Sequence, residues 1–190
     1  MFKSHDKFYS SDGKRTLLIV EDEEINRELL GLALKDDFRI IYAENGSIAL
    51  EQIEKYREDL SLVLLDLAMP VMSGREVLRR MKEDPLSKSI PVIVLTADKN
   101  AELQALKLGA SDFITKPFDV PEVILARVQR TIELSEDRQI IIRAYKCECF
   151  GYVIDWLNSG MADDAKEKFL RFCELGRGTT DRLLERSRLQ

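Results

Sequence analysis

Five side chains have the types needed for chemistry on a phosphate, and each stands just beyond an apolar run. Glu21 and Asp22 follow Leu17-Leu18-Ile19-Val20, and Asp66 follows Leu62-Val63-Leu64-Leu65. Thr96 follows the run from Pro91 to Leu95, and Lys116, with Pro117 behind it, follows Phe113-Ile114. Short apolar runs without alternation are expected of parallel strands covered on both faces. If each run is such a strand, the strand ends bring three carboxylates, a hydroxyl and an ammonium to one edge of a sheet. Three carboxylates that close together repel, and a divalent cation is the usual remedy. A metal, a carboxylate nucleophile and a lysine together describe phosphoryl chemistry on an aspartate.

The segments between these runs have the pattern that such a sheet needs. Glu24 to Leu34 carries apolar residues at Ile25, Leu29, Leu32 and Ala33, a helical spacing. Phe38 to Ala43 reads as a second strand, and Ser47 to Ile53 as a helix with Ile48, Ala49 and Ile53 on one side. Ser73-Gly74 opens a helix whose inner face is Val77, Leu78 and Met81, with Pro85 just beyond it. Ala101 to Leu108 is a short helix ending at Gly109, a suitable left-handed cap position, and Pro121 begins a long helix. Five strands alternating with five helices predict an α/β fold, an open, doubly wound, five-stranded parallel sheet with helices on both sides. In such sheets ligands sit beyond the carboxyl ends of the strands, where the five side chains fall.

Composition narrows the class. The chain has 190 residues, 45% hydrophobic and 33% charged, with a net charge of −5. Those values suit an ordinary globular protein and give no reason to expect nucleic acid as a partner. No apolar run approaches the roughly 20 residues that span a bilayer, and Met1 to Lys14 lacks the apolar core of a signal peptide. A cytoplasmic protein without a membrane partner is expected. Cys147, Cys149 and Cys173 are too few for a four-ligand zinc site when the only histidine is His5, so they read as reduced thiols.

Four stretches carry a family resemblance: LLIVEDEE at 17–24, LVLLDLAMPVMSG at 62–74, PVIVLTA at 91–97 and GASDFITKPF at 109–118. In this order and spacing they resemble the receiver domain of two-component response regulators, a flavodoxin-like fold. The resemblance implies that Asp66 accepts a phosphoryl group from a histidine kinase or phosphotransfer protein. It implies Mg²⁺ (or Mn²⁺) held by Asp22, Asp66 and the backbone carbonyl of Ala68, with Glu21 acting through a bound water. It further implies that Thr96 turns toward the phosphoryl group, that Lys116 pairs with it, and that Phe113 is the aromatic switch. The bond before Pro117 is expected to be cis. Taken singly, Glu21-Asp22 also suits a helix cap, Thr96 a solvated strand end and Lys116 a surface charge. Ala68 and Asp98, two residues after Asp66 and Thr96, match positions that flank the path of the hydrolytic water.

The expected organisation is an N-terminal segment over 1–14, a receiver over 15–134 and a helical extension over 135–190. The long helix is expected to pass through Val128, Ile132 and Leu134 into Asp137 to Tyr145. Ile140-Ile141-Ile142 is apolar on all sides, and Asp163 to Gly176 and Asp181 to Leu189 read as further helical pieces. The functional expectation is a phosphorylation-dependent switch rather than an enzyme, acting through the face of the fourth helix, fifth strand and fifth helix. A homodimer through the extended fifth helix and tail is the accompanying expectation. Two alternatives are a metal-dependent aspartyl-phosphate hydrolase and an N-terminal regulatory piece of a larger signalling protein such as a cyclic-dinucleotide enzyme. The hydrolase would need an acid two residues after its nucleophile, where this chain has Ala68.

Overall fold

A computed structural model describes residues 13–97, 99–118 and 120–158, in backbone alone at residues 99, 100, 102, 141 and 143–158. Strands and helices alternate along the chain: β1 (Arg15–Val20), α1 (Glu24–Leu34), β2 (Phe38–Ala43), α2 (Gly46–Tyr56), β3 (Leu60–Asp66), α3 (Gly74–Glu83), β4 (Val92–Thr96), α4 (Lys99–Lys107), β5 (Asp112–Thr115) and α5 (Pro121–Asn158). The five strands form one sheet in the order β2-β1-β3-β4-β5, every neighbouring pair parallel. This is the expected flavodoxin-like sheet. Its strand order reverses between β1 and β3, so a crevice opens at their carboxyl ends. Glu21 and Asp22 leave one of those ends and Asp66 closes the other.

The absence of alternation in the central strands has its cause in two cores. Leu18, Val20, Val63, Leu65, Val92 and Val94 pack on one face of the sheet with Ala49, Ile53, Val77, Leu78, Met81, Ala101 and Ala105 from α2, α3 and α4. Leu17, Ile19, Leu62, Leu64, Ile93 and Leu95 pack on the other with Leu30, Leu34, Ile124, Val128 and Ile132 from α1 and α5. Successive residues of a strand point to opposite faces, so a strand with a core on each side has no polar position to spare. Each leucine or isoleucine fully buried in this way contributes about 1.5–3 kcal/mol.

Helix ends follow local chemistry. The Asn45 side chain accepts from the N–H groups of Ser47 and Ile48 at the start of α2, and Ser73 accepts from Glu76 at the start of α3. Gly109 closes the turn after α4 at φ +97°, with Gly109 N–H donating to Leu106 and Ala110 N–H to Ala105. That pair of bonds is a Schellman cap, as the glycine's position suggested.

Helix α1 has the expected bounds, but its apolar spacing does not mark the buried face. Ile25, Leu29 and Leu32 are 73%, 52% and 59% exposed, whereas Leu30, Gly31 and Leu34 are buried. The helix carries apolar residues on two sides, and the side that packs on the sheet is the one whose Leu30 and Leu34 join the core of Leu17, Ile19, Leu62 and Leu64, with Gly31 close to Tyr42 of β2. A side chain at Gly31 would collide with the Tyr42 hydroxyl.

The chain separates into two units, one ending at Ile132 and the other beginning at Glu133. Helix α5 continues to Asn158, beyond Tyr145. The expectations for residues 1–12, Asp98, Cys173 and the helical pieces after Asn158 lie outside the described residues, as do those for the side chains of Cys147 and Cys149. Among the described residues, no helix is long and apolar enough to cross a membrane.

Candidate functional site

The carboxyl edge of the sheet brings the sequence-predicted residues together. Glu21 and Asp22 follow β1 directly, Asp66 and Thr96 are the last residues of β3 and β4, and Lys116 follows β5. Strand register fixes their level: Asp66 stands beside Leu95, and Thr96 beside Thr115. Lys116 N–H donates to the Thr96 carbonyl at 2.8 Å, which carries the β4–β5 pairing one residue past the strand. The Lys116–Pro117 peptide bond is cis, as expected.

Carboxylate oxygens of Glu21, Asp22 and Asp66 lie within 4.8 Å of one another. The Lys116 ammonium reaches into this group, 2.7 Å from Asp66 Oδ2, 2.7 Å from Glu21 Oε2 and 2.9 Å from Glu21 Oε1. Its side chain is 19% exposed and lies 5.8 Å from the centre of the Phe118 ring. The other Asp66 oxygen, Oδ1, accepts from the Ala68 N–H at 3.0 Å. Glu21, Asp66 and Thr96 are buried, and Asp22 is half-buried. Phe113 is half-buried and packs on the core shared with α4, so it joins the site edge to the α4 side of the sheet.

Electrostatics follows from this crowding. Burial pushes the Glu21 carboxyl above the ordinary glutamate range, helped by the nearby Asp66 charge and opposed by the hydrogen bond from Lys116. The fold therefore gains from protonating Glu21, and the metal-free protein loses that gain as pH rises through the elevated pKa. Burial works against the Lys116 charge, but hydrogen bonds to Asp66 and Glu21 outweigh it and hold the ammonium above the usual lysine range.

One ammonium among three carboxylates leaves an excess of negative charge. Glu21 Oε2 is buried without an aligned hydrogen-bond donor, although the ammonium is close. Hard oxygen donors, surplus negative charge and an under-satisfied buried oxygen fit a divalent cation.

Three features that hold the site are not evident as such in the sequence. Arg27 Nη1 donates to the backbone carbonyls of Glu21 and Asp22, at 2.7 and 2.9 Å. Asn26 Nδ2 donates to Glu21 Oε1 at 3.3 Å and Glu23 Oε2 at 2.7 Å. Gly74 lies against the backbone of Asp66, so close that a side chain there would collide with the Asp66 carbonyl. A usable signal for Arg27 was its spacing, five and six residues after two acids and early in the following helix.

The model of the response regulator receiver domain family matches residues 17–129. The chain belongs to that family. It is 40% identical over 121 residues to the phosphate regulon transcriptional regulatory protein PhoB of Pseudomonas aeruginosa, covering 62% of this chain and 52% of that one. It is 38% identical over 129 residues to a probable cyclic di-GMP phosphodiesterase of Vibrio cholerae, covering 67% of this chain and 29% of the relative. The chain thus spans about half or less of these relatives. Among solved structures, the receiver domain of the sensor histidine kinase PA1611 from Pseudomonas aeruginosa has a magnesium ion coordinated in its active-site cleft. It matches at TM-score 0.58 and 25% identity, covering 63% of this chain and 98% of that domain. Residues 17–129 are thus a receiver, a member of a family of phosphoacceptor signalling domains, and their acidic cluster is of the type that binds divalent metal.

Proposed function

We propose that Asp66 is the phosphoacceptor of this receiver and that the domain switches a partner according to its phosphorylation. One observation carries the reading: Asp66 is buried at the sheet edge, 2.7 Å from the Lys116 ammonium and clustered with Glu21 and Asp22. Asp22, Asp66 and the Ala68 carbonyl would hold Mg²⁺ (or Mn²⁺), with Glu21 acting through water. Bound there, the cation supplies positive charge that offsets the carboxylates and the incoming phosphoryl oxygens.

In the transfer, an Asp66 carboxylate oxygen attacks the phosphorus of a kinase phosphohistidine or a small acyl phosphate. A P–O bond to Asp66 forms as the P–N or P–O bond to the donor breaks, and the donor leaves with the bonding electrons. The transition state spreads charge over the equatorial oxygens, so positioning and electrostatics do most of the catalysis. Lys116 is placed to pair with one of those oxygens, and the Ala68 N–H and Lys116 orient the attacking carboxylate. Thr96 then turns toward the new phosphoryl group, and Phe113 follows.

Phosphorylation shifts the domain only through contacts that differ between its two states. Here those are the bonds from Thr96 and Lys116. The readout is the α4–β5–α5 face, where Leu103, Leu106 and Val123 are exposed and Arg127 of α5 donates to Asp112 Oδ2 and the Phe113 carbonyl of β5. The exposed Ile25, Leu29 and Leu32 of α1, beside the site, offer an apolar surface for a kinase or phosphotransfer helix. A cytoplasmic receiver over residues 15–134 with a helical extension over 135–190 completes the reading. The extension serves as a dimer contact or a lead into a further signalling module.

Intact-mass analysis after incubation with acetyl phosphate and Mg²⁺ tests the site. Wild-type protein gains one phosphoryl group, and Asp66→Asn gains none; labelling of that variant at the wild-type level would sink the assignment.

A further inference from the structure

Resting on the metal reading above, we propose that Arg27 is a positioning residue for the cation site, acting through the backbone of the β1–α1 turn. The chain leaves the sheet at Glu21, whose N–H still bonds the Ala43 carbonyl of β2 at 3.1 Å, while the pairing of β1 with β3 ends at Val20 and Leu65. Helix α1 first uses the Glu23 carbonyl, which accepts from Arg27 N–H at 3.0 Å. The carbonyls of Glu21 and Asp22 fall between these two systems, where neither ladder nor helix provides a donor, and unpaired carbonyls at a partly buried position are costly. A single guanidinium nitrogen satisfies both, at 2.7 and 2.9 Å, from a half-buried side chain.

The consequence concerns Asp22 most. Glu21 is held by Lys116 and Asn26, and Asp66 by Lys116 and the Ala68 N–H. Among the described residues, no donor side chain or N–H holds the Asp22 carboxylate, which lies within 4.8 Å of two others that repel it. Its place in the cluster is set by the backbone on which it is mounted, and Arg27 fixes the peptide carbonyls on both sides of its Cα. Releasing that clamp lets Asp22 move away from its like-charged neighbours before any cation arrives, so the cation must gather its own ligand. Residues that orient metal ligands typically account for about 10–100-fold in affinity.

The test is Mn²⁺ binding to the full chain, read from the electron paramagnetic resonance signal of free Mn²⁺, beside metal-free thermal melting. Arg27→Met is expected to weaken Mn²⁺ binding at least about tenfold. Arg27→Lys, whose one ammonium can donate to both carbonyls, is expected to stay within about threefold of wild type. Should Arg27→Met not fold, Arg27→Leu, which likewise lacks a donor, replaces it in the same titration, with the same expected loss. Wild-type affinity in the Met or Leu variant, accompanied only by a lower melting temperature, would make Arg27 a merely structural residue and overturn the proposal. Equal losses in the Lys and Met variants would overturn it too. A wild-type chain that binds no Mn²⁺ would remove the metal reading itself, an outcome distinct from failure of the clamp alone.

Discussion

The two loops that carry the acidic cluster are held by opposite means. In the β1–α1 turn, side chains do the holding: Arg27 takes the backbone carbonyls of Glu21 and Asp22, and Asn26 takes the Glu21 carboxylate. In the β3–α3 loop, the backbone holds the side chain. The Ala68 N–H bonds Asp66 Oδ1, Gly74 presses on the Asp66 carbonyl, and Gly74 N–H donates to the Leu67 carbonyl at 3.2 Å. The first loop depends on its clamping side chains, Arg27 and Asn26. The second has little room for any added atom. Lys116, which spans both, is their only shared cation among the described residues.

The contrast is broken most severely at Gly74. Gly74→Ala places a methyl group where the Asp66 carbonyl stands, and a backbone neighbour cannot step aside as a flexible side chain can. A loss of roughly 3 kcal/mol in urea-unfolding free energy is expected, the upper end for overpacking. A stability within 0.5 kcal/mol of wild type, roughly the range of neutral surface changes, would show that the loop is looser than its packing indicates.

Lys116→Met tests what joins the loops. Removing the ammonium leaves Glu21 and Asp66 facing each other, at a cost of about 2 kcal/mol in the metal-free protein, as for charged hydrogen bonds. Because the variant site carries one positive charge fewer, saturating Mg²⁺ should stabilise it more than wild type and narrow the gap. Thermal melts with and without Mg²⁺ check both parts, and an identical Mg²⁺ increment in the two proteins would contradict the shared-cation view.

The smallest effect is expected at Val71. This residue is 88% exposed and holds φ +66°, a left-handed conformation that a β-branched side chain adopts only under strain. Val71→Gly should raise stability by about 1 kcal/mol despite the added freedom of the unfolded chain. A decrease would mean that the valine's contacts outweigh its backbone strain.

The same contrast explains what could be seen in the sequence. Asp66, Thr96 and Lys116 were legible because each ends an apolar run, and burial on both faces of a parallel sheet leaves no other place for such a run. The bounds of α1 and β2 were legible for a related reason, since changes in hydrophobic period mark where one element gives way to the next. Arg27 and Asn26 were not singled out, because a charged or polar residue early in a helix has the composition of a solvated face. Gly74 read only as a helix opener, since the need for glycine comes from an approach made in three dimensions. The outward stripe of Ile25, Leu29 and Leu32 shows the same limit: periodicity gives a helix, but the packing of Leu30 and Leu34 in the core decides which side meets the sheet.

The central claim is that the carboxyl edge of the sheet makes Asp66, and no other carboxylate in the cluster, the phosphoacceptor. Its most direct test is to phosphorylate the full chain with acetyl phosphate and Mg²⁺, reduce the acyl phosphate with borohydride and sequence the peptides by mass spectrometry. Conversion of residue 66 to homoserine is the predicted result. Homoserine at position 22 or another aspartate, or 5-hydroxynorvaline at Glu21 or another glutamate, with residue 66 intact, would contradict it.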